Sequence, residues 1–223
     1  MAGLILLAAS GLAREVLASL RSSGAHEVLG FLDDDPALAG TMLDGVPVLG
    51  RIEDAVKFPR AQFLACAGKG ASRAHIVDRL GALGIAGDRY VTVVDDAAVV
   101  APGCLVGNGS ILLANVVLTA GVELGDHVVA MPQVTFTHDD RAGDFSTFTT
   151  GVSLGGSVQV GRFAYLGMNS SVRERCTIGE GATVGMGSAV LTDVPDGETW
   201  VGVPARALGA GKTIELATIM GEK

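Results

Sequence analysis

Two patterns of hydrophobic and polar positions share this chain. From Val94 to Pro195 it divides into consecutive sixes without an insertion, VDDAAV, VAPGCL, VGNGSI and onward to VLTDVP, 17 units over 102 residues. The first position is aliphatic or Phe in every unit except those led by Ala130 and Ala142. The fifth is Ala, Cys, Ser or Val in every unit but one, which carries Asp140. A six-residue period predicts a parallel β-helix, in which each unit supplies a short strand and a corner and three units close one coil. The first position then fills the interior, and the fifth stays small where the wall turns. Coils stack at the spacing of neighbouring strands, about 4.8 Å, so residues 18 apart in sequence lie one above another. Each coil touches only its neighbours, so the ends need covers.

Residues 1–92 alternate differently. GLILLAA is an apolar run, followed by a glycine turn and LAREVLASLRSS at helical spacing. EVLGFLDDD is a second strand ending in acids, and QFLACAGKG a third, followed by the helical ASRAHIVDRLGALG. Strands alternating with helices predict a small parallel sheet. The chain thus reads as an α/β Rossmann-like domain over 1–92, an all-β parallel helix over 93–208 and a C-terminal tail, 209–223, that belongs to neither. Ligands on parallel sheets sit at the carboxyl ends of the strands, here Ala8 to Gly11, Asp33 to Asp34 and Gly68 to Gly70. The fingerprint GxGxxG is absent, since AASGLA has a single glycine in its turn. The amides from Ser10 through Gly11 and Leu12 to Ala13 can still meet a phosphate at a helix N-terminus. Asp33 or Asp34 can accept from ribose hydroxyls or a base, or can simply open the turn DDDP.

Composition narrows the function classes. A net charge of −8 argues against a broad nucleic-acid or anionic-membrane surface. Only 4% aromatic residues beside 32 glycines suit thin, closely stacked layers. The opening MAGLILLAASGLAREV is apolar only briefly, lacks a basic start and meets charge at Arg14, unlike a signal peptide or membrane span. Cys66, Cys104 and Cys176 are scattered and odd in number, against a disulfide framework. The expectation is a soluble cytoplasmic protein with no nucleic-acid or membrane partner.

The stretch TFTHDDRAGDF, residues 135–145, interrupts the small-residue monotony with chemistry. His138 is the third residue of its unit, at a corner where side chains point outward. His127 is the fourth residue of another unit and belongs to a different face. A zinc site of three convergent histidines therefore cannot assemble, and no metal is expected. Asp139 follows His138 as a carboxylate able to orient an imidazole and stabilise its charged form. Eighteen residues beyond His138 stands Gly156, whose amide can steady an oxyanion beside a general base. Met168 and Met186, also 18 apart and with Thr150 below them, form a column. Such soft side chains suit a groove for a pantetheine arm, or equally packing between subunits. Asp140 takes the small inward position, where a bare carboxylate is costly, and is expected to turn towards His138 or a buried hydroxyl.

These motifs resemble the sugar O-acyltransferase family that includes sialic acid O-acetyltransferases and bacterial UDP-4-amino-sugar N-acetyltransferases. The likeness runs from AASGLAREV through GFLDDD and CAGKGASR to the sixes, THDD and the closing WVGVPARAL, covering residues 1–208. The resemblance implies a left-handed β-helix and a homotrimer, with acetyl-CoA between adjacent helices and the sugar nucleotide on the N-terminal domain. It assigns His138 as base and Asp139 as its partner. It puts sugar-nucleotide contacts at Ser10, Gly11, Leu12, Asp33 and Asp34, to which the strand-end reading adds Gly68, and acetyl-CoA contacts near Thr147, Gly156, Met168 and Met186. The chain departs from the family where Ala8 replaces a frequent Gly and Leu12 a His or Phe. Thr147 stands where a second histidine is common, and Asp140 replaces the small residue usual after the acid. The expected activity is acetyl-CoA-dependent N-acetylation of a UDP-4-amino sugar by direct attack. A neutral amine needs one base, and no Ser or Cys is placed to form a covalent intermediate. O-acetylation of a sialic acid or related sugar, and a non-catalytic binding or scaffold role, are the alternatives.

Overall fold

The computed structural model describes residues 3–85 and 87–209. The tail set apart from residue 209 onward therefore lies, past Gly209, outside the described residues. In the N-terminal domain the wholly buried β1 (Leu4–Leu7) is flanked by β2 (Val28–Leu32) and β5 (Gln62–Ala65). The sheet continues from β2 to β4 (Val46–Gly50) and ends at β3 (Met42–Leu43), giving the order β3-β4-β2-β1-β5. All pairings are parallel except the β3–β4 hairpin, which the strand–helix alternation does not announce. Its turn, Asp44-Gly45, has φ of 48° and 77°, the left-handed pair that favours Asp-Gly in two-residue hairpins.

Helix α1 (Gly11–Ser23) buries Leu12, Ala13, Val16, Leu17 and Leu20, one stripe at helical spacing. Ser10 Oγ caps it by accepting from Ala13 N at 3.2 Å. Gly24, at φ 65°, closes it by donating to Leu20 O. Helix α2 (Gly70–Ala82) buries Gly70, Arg73, Ile76 and Leu80 along its own stripe.

From Val93–Val94 onward a two-residue strand recurs every six residues as far as Ala189–Val190. The strands form three faces, and each as far as Ser171–Val172 pairs in parallel with the strand 18 residues ahead. Val117 meets Thr135 and Thr135 meets Ser153 on one face; Arg141 meets Gln159 on the second; Val129 meets Thr147 and Thr147 meets Tyr165 on the third. The register read from the sequence is the register of the fold. First and fifth positions, among them Leu112, Val116, Leu118, Phe136, Val152 and Leu166, make a continuous dry interior. Where the lining shrinks to Ala130 and Ala142, Phe136 and Phe148 pack edge to face at 4.7 Å between centroids, keeping the core close-packed.

The corners follow a rule that the sixes hide. All 15 fourth residues from Gly103 to Gly187 have positive φ, and nine of them are not glycine. Bonds to the preceding coil hold that conformation, as from His127 N to Asn108 O, Asp139 N to Ala120 O and Phe145 N to Asp126 O. They offset a conformation that costs an ordinary residue about 1–2 kcal/mol.

The far end of the coil is covered by a hairpin, Thr199–Val201 with Arg206–Ala207, against which Ala205 is buried. The α/β domain covers one face near the other end. Leu4, Leu6 and the α1 stripe share a hydrophobic cluster with Val93, Ile111 and Val129 of the coil. Arg73 rivets this seam. Its guanidinium, with no exposed surface, donates to Ala67 O, Gly68 O, His127 O, Phe145 O, Ser146 O and Thr147 Oγ1 at 2.9–3.0 Å. Burial pushes its pKa down to about 10, which leaves it charged at neutral pH. Helix and coil approach so closely that a side chain on Gly70 would overlap Phe145 O.

Candidate active site

The unit that carries the polar insertion runs from Thr135–Phe136 through the corner 137–140 to Arg141–Ala142. Asp139 is the fourth residue, at φ 63°. Its carboxylate lies beside the preceding side chain, with Oδ2 2.9 Å from His138 Nδ1. A proton held on Nδ1 by that carboxylate leaves the Nε2 lone pair free to accept one. Nε2 faces Gly156, one coil on, where any β-carbon would overlap the imidazole. Gly155 N donates to Val172 O and Ser157 N to His138 O, while Gly156 N–H between them has no protein acceptor among the described residues. An imidazole, a carboxylate and a free backbone donor thus meet at one corner. His138 and Asp139 are about two-thirds exposed, at 66% and 69%.

Asp140 corrects the expectation made for it. It turns neither to His138 nor to a hydroxyl, because both its oxygens accept backbone amides, Thr137 N and Val158 N, each at 2.8 Å. Burial pushes its carboxyl up to about 6, against the pull of those two amides and of His138. His127 lies at a different corner, stacked on Phe145 at 4.9 Å and met edge-on by Tyr90. Burial lowers its pKa. Among the described residues no three His, Cys, Asp or Glu side chains converge on a possible metal position.

The strand ends of the α/β domain are drawn together by their own side chains. Ser10 Oγ donates to Cys66 O at 2.5 Å, tying β1's turn to the end of β5. Asp33 accepts from Ala9 N through Oδ2 at 2.7 Å and from Asp35 N through Oδ1 at 2.8 Å. Asp34 accepts from Ile52 N and pairs with Arg79 at 2.6 Å, and the Arg79 guanidinium holds its carboxyl below the usual range. Arg79 also reaches Glu53. A cleft of about 350 Å³ opens there, lined by Asp33, Asp34, Asp35, Pro36, Gly50 and Arg51. Gly11 is exposed at the first turn of α1, where amides lack intrahelical acceptors.

Two expected contacts need correction. The Leu12 side chain is buried in the sheet–helix core, so only its amide can serve a ligand. Thr147 is 1% exposed beneath α2, and its hydroxyl is shared between Gly68 O and Arg73, which leaves no surface for a coenzyme. Those bonds also engage the Gly68 carbonyl. Met168 and Met186 do stack, 46% and 61% exposed, at a corner other than that of His138. Arg73 and the Asp140 bridge were not anticipated. The available signals were an arginine in the buried stripe of α2 and an acid at a small-residue position.

Residues 3–80 match the family model of the PglD N-terminal domain. The whole fold is similar to the acetyltransferase domain of PglB from Neisseria gonorrhoeae FA1090, at 27% identity and a TM-score of 0.84, covering 93% of this chain and 100% of that one. It is also similar to PerB from Caulobacter crescentus, solved with CoA and GDP-perosamine, at 29% identity and a TM-score of 0.85, covering 94% and 98%. A third similar structure is a GDP-perosamine N-acetyltransferase from the same organism in which one histidine is replaced by alanine, at 28% identity and a TM-score of 0.86, covering 94% and 98%. The coil is accordingly a left-handed β-helix. The N-terminal domain thus matches the PglD N-terminal model, and the whole chain is similar in fold to these sugar acetyltransferases.

Proposed function

We propose that the chain transfers the acetyl group of acetyl-CoA to the amino group of a nucleotide-linked amino sugar, a UDP-4-amino sugar by our reading. The observation that carries this is the His138–Asp139 pair, at 2.9 Å, set against Gly156. The neutral amine attacks the thioester carbonyl, and His138 Nε2 takes its proton as the C–N bond forms. Gly156 N–H is the donor available to the developing oxyanion. The C–S bond then breaks and the coenzyme leaves as its thiol, carrying the proton that the base gives back.

Residues 1–92 hold the acceptor, through the first-turn amides of α1 and through Asp33, while 93–208 carry the chemistry. The exposed Met168–Met186 column suits the thin apolar arm of the coenzyme. A homotrimer completes the site. The α/β domain covers the face bearing Val129 and Thr147, whereas His138 stands exposed at another corner, so a second copy must bring the remaining wall. We place the enzyme in the cytoplasm, in keeping with described helices that are too short or too polar to cross a membrane.

The test is thiol release from acetyl-CoA with a panel of UDP- and GDP-linked amino sugars, with sialic acid as the hydroxyl acceptor. Turnover with an amino sugar supports the proposal. Turnover only with hydroxyl acceptors, or none with any, rejects it.

A further inference from the structure

Asp140 is the only carboxylate at a fifth position anywhere in the coil, and it has no exposed surface. The serines at that position show what a polar side chain can do there. Ser110 Oγ accepts from Val128 N, 18 residues ahead, at 3.0 Å. The hydroxyls of Ser146 and Ser170 are buried and bond to nothing. Asp140 makes the same bond forward as Ser110, to Val158 N, and adds a second to Thr137 N.

The two amides are not arbitrary. Thr137 directly precedes His138, and Val158 lies two residues beyond Gly156. Backbone alone links these corners through Ser157 N to His138 O at 2.8 Å. The carboxylate adds a second strut beneath the same pair. Without it, a buried amide and a half-buried one would lose their acceptors and both corners could relax.

We propose that Asp140 is a positioning residue for acetyl transfer, fixing the His138 imidazole over the Gly156 amide by bridging Thr137 N and Val158 N. Being wholly buried, it touches no substrate. The role rests on His138 acting as the base. The charged groups that act on Asp140 are His138, which favours its ionised form, and Asp139, which opposes it.

The experiment compares Asp140→Ala and Asp140→Ser with the full-length enzyme, each alone and combined with His138→Ala. Asp140→Ser restores a single forward bond, as Ser110 makes one, and serves if Asp140→Ala fails to fold. We expect Asp140→Ala to lower kcat about tenfold or more, on the scale of a misplaced catalytic group, with both Michaelis constants within about twofold. Asp140→Ser should recover part of that loss. In both variants the loss should fall on kcat with the Michaelis constants nearly unmoved, a split that a merely structural defect would not give. On the His138→Ala background, loss of Asp140 should cost no further activity.

A folded Asp140 variant with wild-type kcat overturns the positioning role, as does an equal loss on both backgrounds. If instead His138→Ala alone keeps wild-type turnover, the base assignment itself has failed, a different result read from a different protein.

Discussion

At the scale of single residues the site depends on a glycine that the coil itself does not require. Gly156 has no positive φ to explain it; its backbone suits any residue, and the atoms nearest to a β-carbon there are those of the His138 imidazole. Gly156→Ala should therefore fold normally, since the exposed ring can swing into solvent, yet lose most of its turnover. His138→Ala should lose at least about a hundredfold in kcat, the scale of a general base, with acetyl-CoA binding unchanged by calorimetry. Adding Gly156→Ala to His138→Ala should then cost nothing more. A Gly156→Ala enzyme of full activity would show that the imidazole does not work from its place over that amide. Asp140 brings a pH dependence of stability with a definite sign. Its folded pKa, about 6, lies above the ordinary carboxylate value of 3.8, so the folded chain holds this proton more tightly than the unfolded one. The contribution is fully present below about pH 4 and is lost as the pH rises through about 6. Relative to Asp140→Ser, the wild type should lose on the order of 2–3 kcal/mol across that window. Denaturant midpoints measured for both proteins between pH 4 and 7 check it, and parallel curves would count against a buried, titrating Asp140.

At the scale of elements, the strand-end acids that look alike in DDDP divide their labour. Asp34 is committed to Arg79, Arg51 and Ile52 N, holding the segment after β4 against α2. Asp33 bonds to Ala9 N in the very turn that opens α1. Asp34→Ala should accordingly lower the melting temperature with little selective effect on either substrate. Asp33→Asn should raise the acceptor's Michaelis constant about tenfold, the scale of one lost hydrogen bond to a charged group, while acetyl-CoA is unaffected. Equal weakening of both substrates by Asp33→Asn would remove this cleft as the acceptor site. Much of this architecture was legible beforehand, because burial at the first and fifth positions is a demand of the coil that composition must meet. The fourth position was not, since Gly, Asn, His, Asp and Phe all serve there; its positive φ is imposed by bonds to the neighbouring coil rather than by local propensity. The His138–Asp139–Gly156 grouping followed from counting 18, whereas Arg73 did not follow from any count. Its acceptors lie up to 74 residues away along the chain, and no local pattern reports them. Thr147 failed as a coenzyme contact for the same reason: position within a motif says nothing of the helix that covers it.

At the scale of the whole molecule, two halves with separate cores are fastened by Arg73 and a shared hydrophobic seam, which places the proposed acceptor cleft relative to the coil. That arrangement sets the α/β domain over one face and His138 at a corner away from it. If the reaction needs both, the proposed trimer brings the acceptor domain of one copy to the His138 corner of the next. Subunit complementation tests this directly. Asp33→Arg, which fills the strand-end cleft with a long cationic side chain, and His138→Ala should each be inactive alone. Every chain in a mixture carries one defect, so a site built within one chain can never recover. A shared site can, because some interfaces in mixed trimers join an intact base to an intact cleft. Co-expressing the two variants should restore a measurable fraction of wild-type thiol release, from a species sedimenting at three times the 22.6 kDa of the chain. Recovery requires that subunits mix, so differently tagged copies must co-purify. Co-purified trimers without activity, or a stable monomer that turns over by itself, would place the whole reaction within a single chain.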